Sequence, residues 1–467
     1  MLNRLQYSAA ERKKENKMKS LITSILFILL PGLSNVITAQ EIKLITCIDS
    51  ALSNRGNIRA VRTDIEIAKL QTSSAYQKYL PDLSLSYNYR YNPVIPAQII
   101  PVGQFNQVPT DEKRPIKFGT VWQQNSGLNL YQPVIDLSIK SRVEESRINE
   151  RLKNTDAAAA ERDLKMEVIK SFTNIWLNEE RLRSAELDTI RTSGIKEFFM
   201  IKAREGRVLK TEVNRTILNH NNALSNYFAA SSSLTREKIY MAFLTGISLE
   251  TLLDGKFDFS PFSGDGLTIV NKDPLPDSIP SVKSLMLKAE LIKQQQKSEK
   301  MKNTPAIGFE GFLGANQYTD NFNPILSDSW YGSSYLGLSL RFQILSGTTV
   351  KNRVNQLKLE EKGIKSRLDD EVKSVSNKSL QLVEEIRQIE YQAGLFKQNI
   401  SLYNENFSLN QDRFDKGQIN GYDLITDEID FQKELARYNE KRAELVLKQI
   451  ELINNSGALS SFIDNLR

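Results

Sequence analysis

One pattern is written twice in this chain, and it limits the possible folds more than any other feature. Each copy is a helix, an alternating strand pair and a very long helical stretch that turns at a charged Gly and comes back. The two turns read Arg204-Glu205-Gly206-Arg207-Val208 and Asp415-Lys416-Gly417-Gln418-Ile419. Beyond each Gly stands a carboxylate followed by an apolar residue, Glu212-Val213 and Asp423-Leu424. The alternating stretches around Leu128 and Leu338 are spaced almost as the two Gly are. A duplication of this kind sets the architecture before any single residue does.

In the first copy, residues 44–79 read as helix, with Ile58, Val61, Ile65, Ala68 and Ala75 on one face, and Pro81 ends it. Leu83, Leu85, Tyr87, Tyr89 and Tyr91 then alternate with Ser84, Ser86, Asn88 and Arg90, which is the period of a strand with two unlike faces. Residues 92–125 hold five prolines and no sustained period, so they read as a long loop. Alternation resumes at Leu128 and Leu130, and Pro133, lacking a donor, is expected to end the pairing. From Asp136 to Lys202 there is no proline. A helix there is about 100 Å long at 1.5 Å per residue. The return helix runs to about Phe243.

The second copy repeats this order. Val282, Leu285, Ala289 and Ile292 match the first stripe, Pro305 stands where Pro81 stood, and residues 306–315 form a Gly-rich strand. Leu336, Leu338, Leu340, Phe342 and Ile344 alternate with Gly337, Ser339, Arg341 and Gln343. Ile386, Ile389, Ala393, Phe396, Ile400, Tyr403, Phe407 and Phe414 step by three and four, with Asn410 in the one missing slot, a coiled-coil heptad. The expected division is a leader 1–39, a first repeat 40–245 with strands about 82–91 and 126–132, and an insert 246–281. A second repeat 282–456 follows, with strands about 306–315 and 335–344, and then a tail 457–467.

Composition bounds the function. The chain is 25% charged and 40% hydrophobic, too polar for a bundle of membrane helices and too patterned for disorder. Net charge is +6, but residues 1–39 hold six Lys/Arg and two Asp/Glu, so the remainder is only +2 and no nucleic-acid surface is indicated. Residues 18–39 read as a secretory signal, with Met18 as a candidate true start: Lys19, an apolar run Leu21–Leu30, then Pro31-Gly32 and Ala39. Cys47 is the single cysteine and reads as a small buried helix residue. His220 is the single histidine, without a second metal ligand beside it. No phosphate loop, nucleophile elbow or cofactor fingerprint is present, so neither an enzyme nor a cofactor is expected.

A ribbon with one apolar face cannot stand alone in water; that face must meet lipid or another sheet. Strands of about ten residues suit a tilted bilayer crossing, and tyrosines at a strand end suit its interface. Four strands cannot close a barrel, and open edges are not tolerated in lipid, so several copies are expected to share one. Ser84, Ser86, Asn88 and Arg90, with Ser339, Arg341 and Gln343, then line a wet lumen. A soluble β-sandwich edge, its alternation pointing into a protein core, stays as the alternative.

In these features the chain resembles the TolC-like outer-membrane factor family. The matching stretches are Cys47-Ile48-Asp49-Ser50-Ala51-Leu52, Tyr79-Leu80-Pro81-Asp82-Leu83-Ser84-Leu85 and Gln132-Pro133-Val134-Ile135-Asp136, with the two Gly turns and the return helices. The resemblance implies a mostly α fold with a β-barrel part. Long antiparallel helical hairpins form an α-barrel, and four strands per protomer contribute to a trimeric twelve-stranded transmembrane barrel. It implies an exit duct in the outer membrane of a Gram-negative cell, extending into the periplasm, for a tripartite efflux pump or type I secretion. Its partners would be a homotrimer, outer-membrane lipid, a periplasmic adaptor and an inner-membrane pump that supplies the energy. It implies a periplasmic gate at Asp423, with Glu212 and Asp427, and adaptor contacts at Gly206, Val208, Gly417 and Ile419. Where the family has a second acid, Thr426 stands here. Asp423 and Glu212 have a second reading as ordinary acids at helix starts. A periplasmic coiled-coil adaptor or scaffold is the competing function.

Overall fold

The structure is a computed structural model describing residues 41–101, 113–262, 279–322, 330–343, 348–419 and 421–465, apart from the side chains of 100, 101, 261, 414, 415 and 421–425. The leader 1–39, much of the insert and Ile344 lie outside the described residues.

The chain enters through a short strand β1 (Glu41–Ile42) and helices α1 (Leu44–Asn54) and α2 (Gly56–Gln77). The continuous helix expected over 44–79 is thus broken: Arg55 is extended at φ −69, ψ 123, because the Asn54-Arg55-Gly56 junction ends one helix and starts the next. Strand β2 (Asp82–Tyr91) follows. Residues 92–125, read as loop, contain a small hairpin, β3 (Ala97–Pro101) with β4 (Lys113–Lys117), and the start of β5 (Trp122–Ile135). Pro101 and Pro115 are tolerated because the hairpin is two-stranded, leaving every residue an outer edge. Pro133 does not end the pairing either. The ladder to β2 stops at Tyr131, but the ladder to the other neighbour continues through Pro133 and shifts register before Ile135.

Helix α3 (Leu137–Arg204) is 68 residues long and starts where the Asp136 carboxylate accepts from the Ser138 N–H at 2.8 Å. It turns at Gly206 into α4 (Lys210–Thr245), and α5 (Leu249–Asp254) and β6 (Lys256–Phe257) follow. Helix α6 (Pro280–Met301) opens the second half, followed by β7 (Ala306–Thr319) and β8 (Trp330–Arg341). Helix α7 (Thr349–Asp415), 67 residues, turns at Gly417 into α8 (Gly421–Asn455), and α9 (Leu459–Asp464) closes the described chain.

Strand order in the main sheet is β2-β5-β7-β8, all antiparallel. The helices beneath stand in the same order: α3 packs on α2 and α6, and α6 on α7. Farther along, α3 packs on α4 and α8, and α8 on α7. Each chain crossing between strand and helix is therefore direct, and the molecule is one layer that changes from sheet to helices without changing order. The two turns share one backbone solution. Gly206 and Gly417 stand at φ 69 and φ 68, and the next N–H, of Arg207 or Gln418, donates to the carbonyl of Lys202 or Arg413 at 2.9 Å in both. This is the left-handed helix end that glycine adopts without a Cβ penalty.

The main apolar core lies midway along the helices. Phe172, fully buried on α3, meets Phe257, Phe259 and Phe262 edge-on, and Trp176 stacks on Phe259. Ile48 and Cys47 from α1, Met241 and Leu244 from α4, and Ile450 from α8 complete it. The start of the insert thereby ties α1 and α9 to the two long hairpins. Replacing Phe172 by Ala should cost about 3–5 kcal/mol, as large cavities in close-packed cores do. A thermal melt followed by far-UV circular dichroism checks it: the midpoint falls and trypsin cuts first near 254–262, whereas an unchanged midpoint contradicts this account of the core.

Candidate functional site

The sheet has two unlike faces. Register places Leu85 beside Leu128 and Leu128 beside Leu313, and Leu338 beside Phe309. This apolar face does not fold back on the protein's own core: Leu85 is 74% exposed, and Leu336 and Leu338 are 75% exposed. The sandwich alternative, which needs these residues inside, is thereby set aside. At the end of β2 away from the helices, Tyr89 and Tyr91 pack on Trp122 at 5.1 and 4.5 Å, and Phe322 joins them. Beside them, the Tyr87 hydroxyl donates to Gln124 Oε1 at 2.6 Å.

The opposite face is polar. The same register carries Ser84, Arg90, Ser339 and Arg341 to this one side of the sheet. Asn125 donates to Asn316 at 2.6 Å, Asn129 to Ser86 at 2.9 Å, and Ser339 to the Gly308 carbonyl at 3.4 Å. The outer edges of β2 and β8 have no strand partner among the described residues.

The hairpin tips hold Gly206, Val208, Gly417 and Ile419, with Val208 and Ile419 half-buried and both glycines exposed. The three candidate acids do different things here. Glu212 accepts from the Leu209 N–H at 3.0 Å, which satisfies a free donor at the start of α4. Asp427 accepts from Asn410 across the α7–α8 hairpin at 2.5 Å. Asp423 stands in the first turn of α8 with its side chain outside the described residues.

One cluster escaped sequence reading. Asp188 on α3 accepts from Lys433 on α8 at 2.5 Å and from Arg191 at 2.8 Å. Thr192 hydrogen-bonds the Asp188 carbonyl and lies 3.2 Å from Nδ1 of the buried His220 on α4. A cavity of about 280 Å³ lies alongside, lined by Asp188, Arg191, Asn219, Asn222 and Asn226 among others. The cluster thus joins both hairpins some way above their tips. Asn399–Glu434 and Lys448–Glu385 brace α7 on α8 in the same fashion. The partners Asp188 and Lys433 are 245 residues apart, so no local spacing announces them.

Burial raises the Asp188 pKa, but hydrogen bonds and charge from Lys433 and Arg191 outweigh it, and the net shift is below the ordinary 3.8. A depressed carboxylate pKa stabilises the fold above the unfolded value, and that stabilisation is lost as pH falls through the folded one. Lys433→Met should weaken the link by about 1–3 kcal/mol, the range for a charged hydrogen bond. Hydrogen exchange of amides in α3 and α8 near Asp188 should then speed up at pH 7. The difference from the native chain should vanish once pH is below the carboxylate's folded pKa, and equal exchange at pH 7 would discount the cluster.

Among the described residues no helix is long and apolar enough to cross a membrane, and no group of three His, Cys, Asp or Glu side chains is placed to hold a metal. No family model and no curated protein matches the sequence. Solved structures do. The Campylobacter jejuni CmeC outer membrane channel superposes with a TM-score of 0.67 at 15% identity, over 89% of this chain and 86% of that one. The outer membrane protein VceC from Vibrio cholerae gives 0.64 at 12% identity, over 89% and 96%. The open state of the Neisseria gonorrhoeae MtrE outer membrane channel gives 0.62 at 16%, over 89% of each chain. Two repeats of strands and long hairpins, aligned over nearly nine-tenths of the length, leave one conclusion about architecture: this chain has the fold of the TolC-like outer-membrane channels.

Proposed function

We propose that the protein is an outer-membrane exit duct that conducts substrate passively from the periplasm to the exterior of a Gram-negative cell. One observation carries this reading: an exposed apolar sheet face, rimmed by aromatic rings, stands in line with a layer of very long helices. Apolar side chains in a continuous exposed band on strands of 10 to 14 residues match a bilayer face, not a water face.

The edges define the assembly. A four-stranded sheet open on both sides has unpaired backbone donors and acceptors that lipid cannot satisfy. The helical layer ends in apolar margins too: Leu70 on α2, Leu218 and Phe228 on α4, and Leu359, Leu380 and Tyr391 on α7 are all largely exposed. Three copies joined edge to edge give twelve strands over a ring of helices. Ser84, Arg90, Ser339 and Arg341 then face the lumen, and the tips with Gly206, Val208, Gly417 and Ile419 meet a periplasmic adaptor of an efflux pump or secretion system. In this reading the repeats 40–245 and 282–456 are the two halves of each protomer, with the insert 246–281 between them in sequence.

A carboxylate ring at the narrow end repels itself and attracts cations, and Asp423, with Asp427 and Glu212, supplies it. In single-channel recording, Asp423→Ala should raise conductance severalfold; no change would remove Asp423 from the gate. The larger test is fractionation. The protein should stay with outer membranes through a carbonate wash and, once solubilised, run at three times the chain mass. Release by carbonate as a monomer would favour a periplasmic adaptor or scaffold instead.

A further inference from the structure

The polar sheet face carries five aromatic rings that neither the lipid face nor the gate accounts for: Tyr131, Phe312, Tyr318, Tyr331 and Tyr335. Register places them with Ser84 and Arg90. Asn129, the partner of Ser84, pairs with Phe312, and Phe312 with Tyr335, while Gln123, the partner of Arg90, pairs with Tyr318. They run from the helix-proximal end of the sheet, at Tyr131, to its far end, at Tyr318 and Tyr331.

Their setting is specific. A Cβ on Gly127 would come within 2.5 Å of the Phe312 ring, on Gly314 within 2.7 Å of it, and on Gly308 within 2.5 Å of the Tyr131 ring. Without a Cβ beneath, Phe312 and Tyr131 settle onto the backbone of the neighbouring strand at Gly127 and Gly308, so both rings lie along the sheet. Phe312 and Tyr335 lie nearly parallel, 5.9 Å apart with 22° between planes, and Tyr318 follows Tyr331 at 6.4 Å. Tyr335 and Tyr331 remain 57% and 60% exposed.

We propose that these rings form a stacking rail that binds small planar aromatic molecules as they pass through the duct. The proposal rests on the duct reading above, since only there is this face a lumen. A ring laid on a wall offers its free face to anything flat that passes. Each contact is weak and the next ring is near, which is what conduction through successive sites requires. Three protomers supply the rail three times around the bore.

The test uses the full-length protein in a planar bilayer, with neutral caffeine as the planar probe and sucrose as the non-planar one, added on the side of the sheet. Caffeine should produce brief current interruptions and sucrose should not. Phe312→Leu with Tyr335→Leu, which keeps bulk over Gly127 and Gly314 but removes the rings, should cut the fraction of each channel's own open time that caffeine blocks at least fivefold. Tyr318→Leu with Tyr331→Leu, where no glycine is covered, should reduce it in the same direction if the first variant fails to insert. Equal interruption in native and variant channels, or by sucrose as by caffeine, overturns the rail while the duct stands. If neither the native protein nor Asp423→Ala carries any current, the duct itself falls, and the rail with it.

Discussion

A hydrogen-bonding constraint governs everything else in this molecule. The four-stranded sheet ends in two strands whose outward backbone groups have no strand partner among the described residues. One face of the same sheet is covered in leucine. In water the edges would be tolerable and the face would not; in lipid the face is welcome and the edges are not. In the proposed duct, copies joined edge to edge would satisfy both demands. The helical layer has the same kind of margin, since Leu70 on α2 and Leu359, Leu380 and Tyr391 on α7, the helices under the free strands, are largely exposed, as are Leu218 and Phe228 on α4.

Order is conserved across the boundary between sheet and helices. Strands β2, β5, β7 and β8 lie above α2, α3, α6 and α7, so each crossing is a short straight junction. This is why Pro81 and Pro305 mark the entries, and why Asp136 caps the departing helix. The register shift after Pro133 sits at such a junction, where a strand must be re-aimed into a helix axis.

Much of this was legible because it was local. A period of two, a proline-free run and a glycine at a helix turn are each written in neighbouring residues, and their duplication made them hard to misread. The glycine turns in particular depend only on φ, which Gly206 and Gly417 adopt nearly identically. The features missed were those set by long-range register or sequence separation. The β3–β4 hairpin was hidden by its prolines, harmless where every strand is an edge. Asp188 and Lys433 meet only because α3 and α8 pack side by side. Residues 306–315 read only as a Gly-rich strand, and Gly127, Gly308 and Gly314 have no partner visible along the chain. Once aligned across strands, they are the floor on which Phe312 and Tyr131 rest.

The lone cysteine carries a practical consequence. Cys47 is fully buried in the mid-helix core, and burial pushes its thiol up to about 12. Since the thiolate is the nucleophile, this sulfur stays silent towards alkylating reagents at neutral pH in the folded chain. Any second cysteine introduced on a surface is therefore the one that takes a spin label, dye or cross-linker, so chosen sites can be labelled without first removing a native thiol.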